Sequence, residues 1–337
     1  SIDMATPKGH TTEWFPNRRY PVEKGFVRNW DDMEAFWKRM FFPKSLKDSH
    51  VLLSEFPDIA KFHQERKKNQ ELSAEILFET IGISALQMID KTSLTLFSHS
   101  KVSGVVLDCG EDYSCAVPIM NGESKRSCNQ YLPIGGKHIT DAFTEALRYS
   151  NTNHADVRMV DRNMANLMKE RTGFVASNYE KEKLNYTYST HDRLYEVRKY
   201  CYLTVSDERF RSPEALFTPS VLKSDPIGEG VHEMLNRAIS KFSLDISVQQ
   251  ELWQNVVLSG GSTRFPGFEE RLGIELERFN PNFQIIAPKL RTESTWLGGA
   301  GVALLNCFLD SDTYNECGPV RFASELGLPL RTNLNYV

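Results

Sequence analysis

No apolar run in this chain approaches the ~20 residues that a membrane-spanning helix requires. The first ten residues, SIDMATPKGH, have neither the basic start nor the apolar core of a signal peptide. Lys and Arg total 40 against 44 Asp and Glu, a net charge of -4, so the basic footprint of a nucleic-acid surface is missing. The six cysteines (Cys109, Cys115, Cys128, Cys201, Cys307, Cys317) are sparse and show no CxxC spacing. That usage fits reduced thiols of a cytosolic or nuclear protein better than a disulfide frame or a zinc site. Cys109 and Cys115 lie near Asp108, where a redox or metal pair is conceivable, but two small core residues is the commoner outcome. The eight histidines are scattered and read as surface or packing residues. There is no GxxxxGK[ST] loop, no intact GxGxxG after a strand, no HExxH beyond His232-Glu233, and no GxSxG elbow. A P-loop NTPase is thereby excluded and a dinucleotide enzyme disfavoured.

What is present is the composition of an ordinary globular protein, 40% hydrophobic and 25% charged, at a length that suits two lobes or one large α/β unit. The organising stretch is QNVVLSGGSTRFPGF, Gln254 to Phe268. A short β-branched run bounded by glycines predicts a buried strand. Gly260 and Gly261 let a backbone approach something flat or charged without a Cβ in the way. The hydroxyls of Ser262 and Thr263 are placed to cap a helix predicted over Phe268–Phe279. A second run, Ser103 to Gly110, reads SGVVLDCG and again enters a glycine turn, with Asp108 just past the strand. Two such modules far apart predict a duplicated α/β fold with a ligand between its halves.

Other elements follow the same logic. Residues 1–20 read as polar loop. NWDDMEAFWKRMFF predicts a helix capped by Asn29 or Asp31, with Met33, Phe36, Trp37, Met40 and Phe41 along one face and Pro43 as its stop. Val51–Ser54 predicts a strand and Ile59–Thr80 a charged helix whose basic patch is a solvated face. Gly135-Gly136 predicts a turn before a helix over Ile139–Tyr149. A polar helical stretch is predicted over Ala155–Lys183, paired strands over Leu194–Val205, and a short helix opened by Pro213. Gln284–Ala287 predicts a strand and Gly298-Gly299 a turn, followed by a small-residue helix over Ala300–Phe308 and an irregular tail.

Six segments taken in order, NWDDME, VLLSE, SGVVLDCGEDYSCAVPIMNG, ERFRSPEALFTPS, VVLSGGSTRFPGF and TWLGGA, resemble the actin family. The resemblance covers about Tyr20 to Pro319. It implies an α/β, two-lobed actin-like fold, shared with Hsp70 and the sugar kinases, with ATP or ADP and Mg2+ in the cleft between the lobes. It implies residues 1–20 as a remnant of actin-like subdomain 2, and 21–98 with 294–337 as subdomain 1. Residues 99–134 with 227–293 become subdomain 3, and 135–226 subdomain 4. The family's first phosphate loop has no counterpart, so the N-terminal portion of the first lobe is expected to be missing from this chain, which begins with Ser.

Residue by residue, Asp108 and Gly110 match the second phosphate loop. There the aspartate organises metal-bound waters, so Asp108 is expected to meet the metal indirectly, through water, while backbone N–H groups hold phosphate. Lys169 and Glu170 match the Lys-Glu pair that contacts adenosine. Gly260, Gly261 and Ser262 match the adenosine turn, in which Phe265 replaces the usual tyrosine. The departures lie on the other side of the cleft. Glu111-Asp112 replaces the family's Asp-Gly and adds carboxylates that repel phosphate. Lys91 stands where a glutamine orients the attacking water, Cys115 where a histidine assists it, and Thr292, beside Arg291, where a lysine packs on adenine. A lysine has no acceptor with which to orient water, although within the cleft it neutralises phosphate charge. No catalytic residue is therefore expected.

The resemblance thus implies an actin-related, nucleotide-binding but hydrolysis-impaired structural subunit. Its partners are expected to be other protein subunits, such as actin or actin-related proteins, with no direct nucleic acid and no membrane. Its expected setting is a cytoplasmic cytoskeletal assembly, with a nuclear chromatin-remodelling complex or an ATP-hydrolysing, filament-forming actin as alternatives. The shortened segment FLDSDTYNECGP and the tail ASELGLPLRTNLNYV depart from the family's partner-binding surfaces.

Overall fold

The structure, a computed structural model, describes residues 20–41, 49–150, 157, 160–188, 192–198, 201–222 and 228–326. The readings of residues 1–19 as loop and subdomain 2 remnant, of Pro43 as a helix stop, and of the tail beyond 326 lie outside the described residues. The fold is mixed α/β and is built on two sheets. In the first, His50–Glu55 runs parallel to Ala85–Asp90, and Leu309–Asp310 pairs antiparallel to the latter. The helix His63–Glu75, continued by the π turn Ile76–Ile81, makes the crossover that parallel neighbours require. This replaces the single charged helix expected over Ile59–Thr80.

The second sheet has six strands. Val256–Ser259 lies parallel to both Ile285–Ile286 and Gly104–Cys109, and Ser114–Met120 then runs antiparallel to Gly104–Cys109. The two modules, expected from their likeness to mark the two halves of a duplicated fold, are instead neighbouring strands of one sheet, with Ser259 opposite Asp108. Every residue of Gly104–Cys109 is buried, as a strand covered on both faces demands. Val105, Leu107 and Cys109 face one core with the helices Val231–Phe242 and Phe268–Leu276, and Val106 faces another with Tyr113, Cys115 and Val257. Alternation then puts Asp108 on the Val106 face, at the strand's end.

Between the sheets lies the helix Lys91–Phe97. Thr92 through Leu96 are all buried, as expected for a short helix packed on several sides. Leu94 packs with Ile89, Val302 and Cys307, while Leu96 packs with Val106 and Val257. This helix is the joint between the sheets. Against it lies the helix Ser294–Ala303, in which Gly298 and Gly299 are helical and not a turn. A Cβ on Gly298 would stand 1.8 Å from the Leu94 carbonyl oxygen, so glycine is there to let two backbones touch.

Asn29 caps the helix Trp30–Phe41 by accepting from the Asp32 amide, but Met40 is exposed rather than on the buried face. The second glycine of Gly135-Gly136 begins the helix Gly136–Ser150. The polar stretch over Ala155–Lys183 is broken into Arg162–Thr172 and Tyr179–Tyr188. Between them Phe174 and Val175 donate to the Arg209 and Pro266 carbonyls, which pulls the chain out of helix. The hairpin Arg193–Arg198 with Cys201–Val205 and the 3-10 turn Pro213–Leu216 follow. The tail is not irregular: Asp310 caps a helix over Ser311–Glu325, kinked at Gly318 and anchored by buried Tyr314 and Phe322.

Candidate functional site

The two glycine turns meet at the ends of their strands. Gly260 has φ +85°, and a Cβ there would lie 2.5 Å from Asp108 Oδ1 and 2.3 Å from the Cys109 carbonyl oxygen. Ser262 and Thr263 do not cap the following helix, whose N-cap is Gly267 and which runs only from Phe268 to Leu276. They sit in the 3-10 turn Gly261–Arg264, where Thr263 Oγ1 donates to the Gly260 carbonyl and Ser262 Oγ reaches the Gly110 carbonyl at 3.3 Å. The hydroxyls tie turn to turn rather than turn to helix.

Gly110 is the common partner. Its amide donates to the Tyr113 carbonyl at 2.9 Å, and its own carbonyl also accepts from the Gly136 amide at 2.9 Å. Over Gly136 three side chains converge: a Cβ there would stand 2.6 Å from Glu111 Oε2, 3.2 Å from Ser262 Oγ and 3.6 Å from Lys169 Nζ. Lys169 is buried, and its ammonium donates to the Gly136 carbonyl at 3.2 Å and to Thr140 Oγ1 at 2.9 Å. Burial pulls its pKa below the ordinary lysine range, against the raising influence of Glu111 and Glu170. Glu170 is exposed and turned aside, with Oε1 accepting from Asn166. Phe265 is buried against Gly173, the residue that ends the Lys169 helix. Asp108, Gly110, Gly260, Ser262 and Lys169 are thus brought together by these contacts, and Glu170 and Phe265 stand at their edge. Around Gly261 no atom lies within 4 Å of the place a Cβ would take, which leaves space above the turn.

Asp108 is itself engaged in an ion pair. Lys91 Nζ lies 2.5 Å from Asp108 Oδ2, with 24% of the lysine side chain and 6% of the aspartate side chain exposed. The same ammonium is 4.4 Å from the centroid of the Tyr113 ring. Lys91 is held there by its helix. Asp90 accepts from the Thr92 and Ser93 amides at 3.0 and 2.9 Å, which fixes Lys91 as the first helical residue. A cation is out of place at a helix N-terminus, so Asp108 and not the helix accounts for its position. Burial acts to lower the Lys91 pKa, but Asp108 and the groups of Tyr113 and Cys115 outweigh it, and the net direction is well up. Cys115 faces Asp108 across the strands, and burial pushes its thiol far above the ordinary range. It is a free thiol, as are Cys109, Cys128, Cys307 and Cys317.

Arg291 lies beside the Val256–Ser259 strand, its carbonyl 3.5 Å from Ser259 Oγ. Its Nε and Nη1 are buried without a hydrogen-bond partner, and burial lowers its pKa. Thr292 beside it is exposed. Tyr113, Gly136 and Thr140 were not singled out from the sequence as site residues, because their roles depend on contacts across the fold. The only local sign was the Gly135-Gly136 pair itself.

These residues answer differently to the two groups the resemblance implies. Buried Lys169, the unspent Arg291 donors and the open space at Gly261 fit a nucleoside with attached phosphate. A divalent metal ligated directly by Asp108 does not fit, because an ammonium already holds the carboxylate, and among the described residues no group of three or more His, Cys, Asp or Glu could hold a metal. Among the described residues no helix is long and apolar enough to cross a membrane.

Comparison with known proteins agrees with this architecture. The sequence model of the family described as Actin matches residues 15–320. An "Actin-like protein" of Neurospora crassa is 33% identical over 301 residues, which covers 86% of this chain and 76% of that protein.

Proposed function

This chain belongs to the actin family, and on that premise we propose that it is an actin-related protein serving as a structural subunit of a larger cytoskeletal assembly. In this reading it holds ATP or ADP as a structural ligand and does not turn it over. The observation that carries the reading is the Lys91–Asp108 ion pair. A group that orients an attacking water must accept a hydrogen bond from it, and an ammonium has only donors. Cys115, a buried neutral thiol opposite Asp108, is no general base at neutral pH. Bound nucleotide, when present, would supply phosphate charge and stacking area. The chain's own part is to orient it with Lys169 and Ser262 and to leave no water-activating group beside it.

A subunit reading is further supported by exposed apolar side chains on the helix Ser294–Ala303 and at its C-cap, Leu304. Trp296 is 72% exposed, and Leu297 and Leu304, seven residues apart and so on one face, are exposed as well. Apolar surface of this kind favours a protein partner. Actin or actin-related subunits are the proposed partners, and the cytoplasmic cytoskeleton the proposed setting, with no direct contact to nucleic acid or membrane.

The test is isolation from native extract followed by mass spectrometry and a phosphate-release assay. Fixed, stoichiometric partners and release far slower than that of conventional actin are expected. Pelleting as filaments without fixed partners, together with actin-like phosphate release, would reject the proposal.

A further inference from the structure

We propose that Lys91 takes the place of the divalent cation beside Asp108, so that the cleft accepts a nucleotide's phosphates without Mg2+. The inference rests on the nucleotide-binding reading and narrows it to a metal-independent mode.

Three observations carry it. The ammonium sits 2.5 Å from Asp108 Oδ2 and so already neutralises the carboxylate. Its position is over-determined: the Asp90 cap fixes the backbone of Lys91, and the Tyr113 ring lies 4.4 Å from the charge on another side. A hydrated Mg2+ demands near-octahedral space and sheds water reluctantly. Placing it against a fixed ammonium also sets like charges together. What Lys91 offers instead is direct. It keeps 24% of its side-chain exposure, and an ammonium has three N–H donors, so those not spent on Asp108 can meet phosphate oxygens in charge-assisted hydrogen bonds. Asp112 accepts from the Lys24 amide through Oδ2 and is drawn to the neighbouring ribbon Val22–Val27. The lysine that removes hydrolysis is thus also the counter-ion that makes a metal unnecessary.

The experiment is a binding titration of ATP by calorimetry on the full chain, once in excess EDTA and once in excess Mg2+, with the Lys91→Gln variant in parallel. Wild-type dissociation constants within threefold of each other are expected, and K91Q should bind at least tenfold more tightly with Mg2+ than in EDTA. Wild-type binding that weakens tenfold or more in EDTA would overturn the proposal while leaving the nucleotide reading intact. So would a K91Q protein of native circular dichroism whose binding is as indifferent to Mg2+ as the wild type. Absence of binding under both conditions would overturn the nucleotide reading and this proposal together. If K91Q does not fold, the wild-type pair of titrations decides alone.

Discussion

Gly298 and Leu94 touch backbone to backbone: a Cβ on the glycine would lie 1.8 Å from the leucine's carbonyl oxygen. The contact seats the Lys91 helix between the two sheets. Gly298→Ala forces those helices apart, because no side chain can yield at a backbone atom. A loss of about 3 kcal/mol or more is expected, at the top of the range for overpacking. Denaturant titration, read as a lower midpoint with unchanged slope, checks it.

Removing Lys91 leaves Asp108 as a nearly buried, uncompensated carboxylate. Lys91→Met should cost about 3 kcal/mol. Lys91→Met with Asp108→Asn should cost clearly less than the sum of the two single changes, since neither side then carries an unpaired charge. A double-mutant cycle by urea unfolding measures the difference. Strict additivity would mean that the pair does not interact in solution.

Both carboxylate oxygens of Glu208 are buried without a hydrogen bond of good geometry, and burial foremost pushes its pKa up to about 7. The folded state then binds this proton more tightly than the unfolded chain, whose value is near 4.5. Stability from this group is complete below about pH 4.5 and declines as pH rises to about 7. Glu208→Gln should match the wild type at pH 4 and be more stable by about 3 kcal/mol at pH 8. Melting temperatures across that window provide the test, and parallel curves would refute it.

Arg271 joins three elements in the core. Its Nη1 and Nη2 donate to Glu214 at 3.0 and 2.9 Å, its Nε to Glu275 at 2.8 Å, and Nη1 also to the Ala176 carbonyl at 3.0 Å. Arg271→Ala strands Glu214, which is almost fully buried, and should cost about 3–5 kcal/mol. Arg271→Lys keeps the charge but loses the fork, and a smaller loss is expected. Both are read from equilibrium unfolding.

The legible parts of this molecule are those whose signal is local. Val256–Ser259 and Gly104–Cys109 were readable because a strand buried on both faces writes itself as an unbroken β-branched run. Their likeness pointed to two halves of a duplicated fold, whereas their adjacency, and the register of Ser259 against Asp108, depend on pairing that the local runs do not encode. Gly298-Gly299 misled because the dipeptide that breaks a chain in a turn also thins a helix for close packing. The tail helix was hidden by Gly318-Pro319, which ordinarily ends a helix but here marks a kink stabilised by buried Phe322. At the candidate site, Lys169 was identified, but its ties to Gly136 and Thr140 span about thirty residues of chain. The partner of Lys91 was equally non-local, and only the fold sets it beside Asp108.

The carbonyl of Gly110 accepts the Gly136 amide and the Ser262 hydroxyl, and the next carbonyl, of Glu111, accepts the Lys137 amide. Three segments far apart in the chain therefore share one knot, and Gly110-Glu111 cannot fray without releasing the other two. In hydrogen exchange the amides of Gly136 and Lys137 should open as a single unit, at a rate that reports on the whole knot.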